Sequence, residues 1–201
     1  IGATHGPGLV GALLVGLNFG KAMAYGLGIP FIGVNHMEGH LYSNLMTPSG
    51  HAFPFLALIV SGGHTMLVRV TGAFEHSVLG QTRDDAAGEA FDKVAKMLGL
   101  GYPGGPRIDA TAKSGNPEAI RFPRSYLDGD TYDFSFSGVK TAVLYHLRDN
   151  GLPATEQAMA DLCASFQDAV VDVLVEKTVR AARSTGVRDI TIAGGVSANS
   201  R

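Results

Sequence analysis

"FPFLALIVSGGHTMLVRVTG", residues 53–72, sets two apolar runs rich in β-branched residues on either side of "SGGH", the pattern of a β-hairpin closed by a glycine turn. The same form returns at the far end of the chain, where the buried-strand sequence "DITIAGG" (189–195) runs into "GGVSANS" (194–200) and a presumptive helix. Between the two lie helical patterns. In "DDAAGEAFDKVAKMLGL" (84–100), Ala86, Ala87, Ala90, Phe91, Val94, Ala95 and Leu98 form one apolar stripe, with acids early and lysines late, as the helix dipole favours. Asp92 sits off that stripe, and its local reading is a solvated residue paired with Lys96 one turn on. "YDFSFSGVKTAVLYHL" (132–147) alternates aromatic and serine before switching to helical spacing, and residues 155–186 read as a long amphipathic helix closed by Gly186. Glycine turns at strand ends with helices packed between them predict an α/β layered fold with mixed sheets. Neither turn is a G-x-G-x-x-G or G-x-x-x-x-G-K-[ST] phosphate loop.

The remaining connections look irregular. "YPGGPRID" (102–109) reads as a turn-rich loop whose flat, side-chain-poor surface suits a ring or a ribose. From there to about Asp133 the chain is rich in Pro, Gly and charge and reads as a surface excursion.

Upstream of the hairpin, "GPGLVGALLVGLNFGKAMAYGLG" (6–28) has proline near its start and glycine at its end, so a helix is predicted. "IPFIGVN" (29–35) is a short strand, and Asn35 is placed to cap a helix that begins with "HMEGH" (36–40). On such a helix His36 and His40 share one face, about 5–6 Å apart at Cβ, close enough for one divalent ion. Two imidazoles suit iron or zinc, although a structural histidine pair explains the spacing as well. The zincin protease signature needs its glutamate directly after the first histidine. Met37 stands there, and Glu38 is rotated roughly 100° away.

Apolar residues make up 45% of the 201-residue chain and charged ones 17%, so much of it is interior. A formal charge of -2 and a pI near 6.4 exclude a uniformly basic surface, and any polyanion must meet a local patch. The stretch from Lys93 to Arg148 is the place to look, with eight Lys/Arg against five Asp/Glu. Lys93, Lys96, Arg107, Arg121, Arg124, Lys140 and Arg148 are candidate phosphate contacts. The single cysteine, Cys163, excludes an internal disulfide and a Cys-rich zinc site. The apolar run 9–19, broken by Gly11, Gly16 and Asn18, is too short to span a bilayer. The expectation is a cytoplasmic protein with no membrane partner. The chain begins without Met and stops where a helix should begin, which is expected of a fragment truncated at both ends.

The two glycine turns resemble the divided phosphate loops of the actin, Hsp70 and sugar-kinase (ASKHA) superfamily. "GPGLVGALLVG", "HMEGHL", "LIVSGGHT", "DDAAGEAFDK", "YPGGP", "DFSFSGVKT" and "GGVSAN", in this order, resemble the tRNA N6-adenosine threonylcarbamoyltransferase family (TsaD/Gcp). The resemblance implies an ASKHA fold, with residues 1–60 as the remainder of a first lobe and 61–201 as an incomplete second lobe. It implies transfer of a threonylcarbamoyl group from threonylcarbamoyl-AMP to the N6 amine of a tRNA adenosine beside the anticodon. It implies one divalent ion, iron first and zinc as the alternative, on His36 and His40, with the third ligand an aspartate beyond Arg201. Ile59, Val60, Ser61, Gly62 and Gly63 are implied around the phosphate and carbamoyl groups, and Asp92, Gly105, Asp109 and Asn199 at the nucleoside. The implied partners are tRNA, a same-fold TsaB-like subunit and a TsaE-like ATPase subunit. No catalytic residue is assigned: Glu38, His64, Asp84, Asp85 and Glu89 all lie near the motifs. An ATPase or kinase-like member of the superfamily, a metalloprotease and a non-catalytic same-fold subunit are the alternatives. The first leaves "HMEGH" idle, the second misplaces Glu38, and the third lacks the histidine pair.

Overall fold

The computed structural model describes residues 1–46, 52–125 and 131–201, and the chain divides into two compact units, Ile1–His51 and Ala52–Arg201.

In the first unit, strands β1 (Gly2–Gly6) and β2 (Ile32–Asn35) pair in parallel and are joined by helix α1 (Val10–Leu27). Gly28 closes α1 in the left-handed conformation (φ 66°), which glycine adopts at no steric cost. The helix is longer than the apolar run read from the sequence. By length and a mean hydropathy of 1.3 it passes the test for a membrane span. Its glycines, Asn18 and Lys21 weaken that case, and Gly20 packs on the strand side, where an added Cβ would stand 3.2 Å from Ala3. Helix α2 (His36–Ser43) follows β2 directly. Asn35 caps it as expected, its Oδ1 accepting from the N–H groups of Met37 at 2.8 Å and Glu38 at 3.4 Å.

The second unit is built on a four-stranded mixed sheet in the order β5-β4-β3-β6. Strands β3 (Phe55–Val60), β4 (Thr65–Gly72) and β5 (Glu75–Gln81) form an antiparallel meander, and β6 (Asp189–Ala193) runs parallel to β3. The predicted hairpin is therefore present, with Val60 opposite Thr65. Because β3 is hydrogen-bonded on both edges, it belongs to this unit. The boundary between the two compact units falls at 51/52.

Leu56, Leu58 and Val60 meet the helices in one core with Leu67, Phe91, Phe134, Phe136 and Phe166. Helix α3 (Ala87–Met97) buries the whole predicted stripe, each of its members being at most 5% exposed. It starts three residues later than predicted, because Asp84 and Asp85 are spent elsewhere. Its first turn is capped from the sheet instead: buried Thr65 accepts the Ala87 N–H through Oγ1 at 2.9 Å.

Residues 102–109 depart from their reading as a loop. Helix α4 (Gly104–Ala112) begins there. Pro106 lies in its first turn, where the missing N–H costs nothing, and Asp92 accepts the Gly104 N–H at 2.7 Å. The following excursion is also less loose than predicted. Phe122 is buried, Asn116 donates its N–H to Asp161, and Arg124 bridges to Asp168 and Asp172. Residues 126–130 of that stretch lie outside the described residues.

Phe134 and Phe136 are fully buried and stacked, with ring centroids 6.3 Å apart, so the aromatic–serine alternation marks a strand-like approach to helix α5 (Ser137–Asn150). Helix α6 (Glu156–Thr185) is capped by Thr155 and closed by left-handed Gly186, as its sequence predicted. Cys163 lies in its buried face, and desolvation pushes the thiol pKa up to about 12.

Thr65→Val removes the α3 cap at constant volume and leaves the Ala87 N–H without a partner. Urea titration should show a loss of about 1–2 kcal/mol; an unchanged midpoint would mean that the cap contributes nothing.

Candidate functional site

Two glycines and two polar bonds place the elements of the site. Ser61 and His64 close the hairpin turn, Ser61 donating its N–H to the His64 carbonyl at 2.8 Å and accepting the His64 N–H on Oγ at 3.1 Å. The N–H groups of Gly62 and Gly63 have no partner among the described residues. The first turn of α3 sits against this turn so closely that a Cβ on Gly88 would stand 2.5 Å from the Ser61 carbonyl oxygen. Gly194, at φ 101°, passes the end of β3 at the same level, and a Cβ there would lie 2.3 Å from the Val60 oxygen. The chain then makes a 3₁₀ turn over Gly195–Ala198, where the sequence suggested the start of a longer helix.

These pieces enclose a cleft of about 500 Å³ lined by Gly62, Gly88, Asp92, Gly105, Asp109 and Asn199, among others, within the usual range for a small-molecule site. Five of the expected positions, Gly62, Asp92, Gly105, Asp109 and Asn199, thus meet in one cavity. Ser61 and Gly63 stand in the adjoining turn and do not line it. Ile59 and Val60 are 1% and 2% exposed inside the sheet, so their side chains are core, and what they offer a ligand is the placement of the turn that follows.

Asp92, Asp109 and Asn199 are each held in the cleft by a bond to the protein. Asp92 uses Oδ1 for the Gly104 N–H, and no ion pair to Lys96 forms. Asp109 uses Oδ1 for Ser200, accepting from its N–H at 3.0 Å and its hydroxyl at 2.7 Å. The Oδ2 atoms of both aspartates are left without a protein partner among the described residues. Asn199 donates to Gln167 at 2.8 Å and accepts the Arg201 N–H. The arrangement offers two backbone N–H groups for an anion and two carboxylate oxygens for hydroxyl donors.

Sequence reasoning passed over Tyr102, Lys113 and the 3₁₀ residues Gly195, Val196 and Ala198, all of which line the cleft. Lys113 had a usable signal, since it falls one turn after Asp109, at the C-cap of α4. Gly88 had none, because only the packing of α3 on the hairpin turn requires it.

Beside the cleft, Asp84 and Asp85 tie the helices together. Asp84 caps α5, accepting from the N–H groups of Phe136 at 2.9 Å and Ser137 at 3.3 Å and from the Ser135 hydroxyl. Asp85 receives Lys93 of α3 and Lys140 of α5, each at 2.6 Å. Burial pushes the Asp85 pKa up, but the bonds from Lys140 and Lys93 outweigh it and hold the carboxyl below its ordinary value. Glu89 is paired with Lys93 at 2.8 Å. Three of the candidate bases are therefore structural ion-pair or cap partners. Of the candidate phosphate contacts, Lys93, Lys140, Arg124 and Arg148 are paired with carboxylates. Lys96, Arg107 and Arg121 have no ion-pair partner among the described residues.

In the first unit the imidazoles of His36 and His40 lie with ring centroids 4.6 Å apart, edge to face, on one side of α2. Two neutral imidazoles so placed fit as two ligands of a borderline-soft ion. Among the described residues no group of three His, Cys, Asp or Glu is assembled that would complete a metal site. Glu38 is exposed and lies two residues from each histidine, as the sequence required.

The fold places the chain with mixed-sheet α/β proteins whose glycine turns meet at strand ends. The crystal structure of T. kodakarensis HypF superposes on 99% of this chain and 34% of its own, with a TM-score of 0.65 at 13% identity, a likeness of fold alone. A family model described as TsaD, tRNA N6-adenosine threonylcarbamoyltransferase, matches residues 1–201, and the chain belongs to that family. Curated relatives of that name include one from Symbiobacterium thermophilum, 56% identical over 199 residues and 99% of this chain. Another, from Salinibacter ruber, is 59% identical over 204 residues and 100% of this chain. The chain spans 58% and 60% of the length of these two relatives.

Asp85 supplies a pH test. Its folded-state pKa lies below the unfolded value of 3.8, so the bridge stabilises the chain above that pH, and the stabilisation is lost as pH falls through the folded-state value. Asp85→Asn should cost about 1–2 kcal/mol at neutral pH, reduced from the fully buried case because Lys93 is 40% exposed. Urea midpoints of variant and parent should converge as the pH is lowered past 3.8. A constant gap would remove the linkage.

Proposed function

We propose that the intact protein transfers a threonylcarbamoyl group from threonylcarbamoyl-AMP to the N6 amine of a tRNA adenosine next to the anticodon. The observation that carries this reading is the single cleft in which Gly62, Asp92, Gly105, Asp109 and Asn199 meet, in a chain of the TsaD family. The adenylate is a mixed anhydride. Attack by the amine nitrogen on the carbamoyl carbon forms the new C–N bond, the bond to the phosphate oxygen breaks, AMP leaves with the electron pair, and the amine gives up a proton.

The chain's own groups suit the substrate end of that reaction. The Gly62 and Gly63 N–H groups, turned out at the hairpin, are donors for the phosphate or for charge growing on the carbonyl oxygen. Oδ2 of Asp92 and of Asp109 are acceptors for ribose hydroxyls, each fixed by the bond its Oδ1 makes. Gly105 and Pro106 give the nucleoside a flat, side-chain-poor wall. His36 and His40 would supply two nitrogen ligands to an iron or zinc ion, and a Lewis acid of this kind polarises a carbonyl oxygen. The partners of this reading are tRNA, a TsaB-like same-fold subunit and a TsaE-like ATPase subunit, and the place of work is the cytoplasm, where its tRNA substrate is found.

The test uses the full-length protein with its partner subunits, unmodified tRNA and the adenylate, and follows metal content alongside transfer. His36→Ala and His40→Ala should each lower transfer by more than about a hundredfold, with bound metal reduced and thermal unfolding unchanged. Full activity in both would refute a metal role for the pair. ATP turnover that persists with metal chelated, without transfer, would favour a kinase-like protein instead.

Asp92 needs two substitutions, because it both caps α4 and lines the cleft. Asp92→Ala should destabilise the fold by about 1 kcal/mol and weaken AMP binding. Asp92→Asn, which keeps an acceptor for the Gly104 N–H, should weaken AMP binding with little loss of stability. Calorimetric titration with AMP that finds both variants binding like the parent would remove Asp92 from the site.

A further inference from the structure

A second cleft adjoins the first. About 470 Å³ in volume, it is lined by Glu89, Asp92, Lys93, Lys96, Gly99, Gly101 and Tyr102. It shares Asp92 and Tyr102 with the cleft proposed for the adenylate, so the two cavities are separated by one aspartate and one aromatic ring.

Tyr102 is 81% exposed, and the backbone on either side of it has a defined conformation. Gly101 before it adopts φ 88°, which only glycine accepts readily. Pro103 after it has a ring-locked φ, and the next N–H, of Gly104, is bound to Asp92 at 2.7 Å. Single exposed apolar side chains are ordinary on a protein surface. An exposed ring that lines two cavities of ligand size at once is not.

The charge of the second cleft is also resolved by its pairings. Lys93 is neutralised by Asp85 and Glu89, while Asp92 keeps its charge, with Oδ1 accepting the Gly104 N–H. Lys96 is the exposed lysine of this cleft that has no ion-pair partner among the described residues, and Gly99 and Gly101 leave the remaining wall free of side chains. An aromatic face, a cation without an ion-pair partner among the described residues and a bare glycine wall are the components with which proteins hold an unpaired nucleotide: stacking for the base, charge for the phosphate, and backbone close enough for a sugar.

We infer that this second cleft receives a nucleotide of the RNA adjacent to the acceptor adenosine, its base stacked on Tyr102 and its phosphate beside Lys96. The inference rests on the reading of tRNA as acceptor given above. It gives Tyr102 a positioning role: by holding the neighbouring base on the partition, it fixes the acceptor amine at the edge of the adenylate cleft. Such a residue acts on RNA binding more than on the adenylate, whose cleft it also borders.

The experiment uses the full-length enzyme with its partner subunits. Transfer is measured against unmodified tRNA concentration, AMP binding by calorimetry, and tRNA binding by filter retention over a range of salt. Tyr102→Ala should raise the KM for tRNA about tenfold, well beyond any weakening of AMP binding that follows from its place on the border of both clefts, and Tyr102→Phe, which keeps the ring, should restore the parent value. Lys96→Ala should reduce the salt dependence of tRNA binding by about one ion. An unchanged KM for tRNA in Tyr102→Ala overturns the inference and leaves the transfer reading standing. So does a loss of AMP affinity that accounts for the whole effect, since the ring would then belong to the adenylate. If the parent enzyme transfers nothing to tRNA, the transfer reading fails, and filter binding decides the inference alone: equal tRNA retention by parent and Tyr102→Ala overturns it.

Discussion

At the end of β3 there is no room for a side chain on anything that passes. The first turn of α3 and the chain leaving β6 both approach the Val60 and Ser61 carbonyl oxygens more closely than a Cβ allows, at Gly88 and at Gly194. The cleft depends on this crowding. It brings the start of one helix and the 3₁₀ turn after β6 to the same edge of the sheet as the hairpin turn, and so joins the N–H groups and carboxylates of residues 62–109 to the Asn199 amide from a segment more than a hundred residues beyond the turn. The further tie from Asp92 to Gly104 extends the arrangement to α4, where a Cβ on Gly104 would stand 2.6 Å from the Cα of Asp92. Three glycines set the spacing of four elements, and the polar residues are carried on that frame.

What the sequence disclosed follows from what is local. Strand alternation, the stripe of α3, the Asn35 cap and the αL closure at Gly186 depend on neighbours in the chain, and each was legible. The α4 helix was not, because "YPGGP" has poor helical propensity and is made helical by a carboxylate twelve positions earlier and by a packed neighbour. Asp84 and Asp85 were legible as helix-dipole acids, yet they belong to α5 and to a lysine pair, partners fixed only by tertiary contact. In the site, Gly62, Asp92, Gly105, Asp109 and Asn199 came from the resemblance to a family and meet in the structure. Tyr102 and Lys113 escaped notice because an exposed tyrosine and a lone lysine look like ordinary surface until a cavity is seen beside them.

The charge economy of the second unit sharpens the question of where a polyanion meets it. Half of the eight cations counted in that stretch are taken up by carboxylates once folded: Asp85 takes two lysines, Asp168 and Asp172 take Arg124, and Asp149 takes Arg148. Counting cations along a chain overstates a surface potential whenever acids from other elements arrive to pair with them. What is left unpaired is sparse and lies on α3, α4 and the excursion after it, on elements that also border the two clefts.

The burial of Cys163 makes the chain its own reporter. A thiol with no solvent exposure and a pKa near 12 has almost no thiolate at neutral pH and no access to reagents. Alkylation is therefore gated by opening of the α6 core, while loosening of the turns around the cleft leaves the sulfur untouched. With only one cysteine in the sequence, the rate of thiol modification reads the population of globally opened molecules without any engineered probe. It also reports ligand binding: a compound that binds the folded second unit and not the opened one slows the rate by a factor of one plus the ratio of its free concentration to its Kd, whichever cleft it occupies.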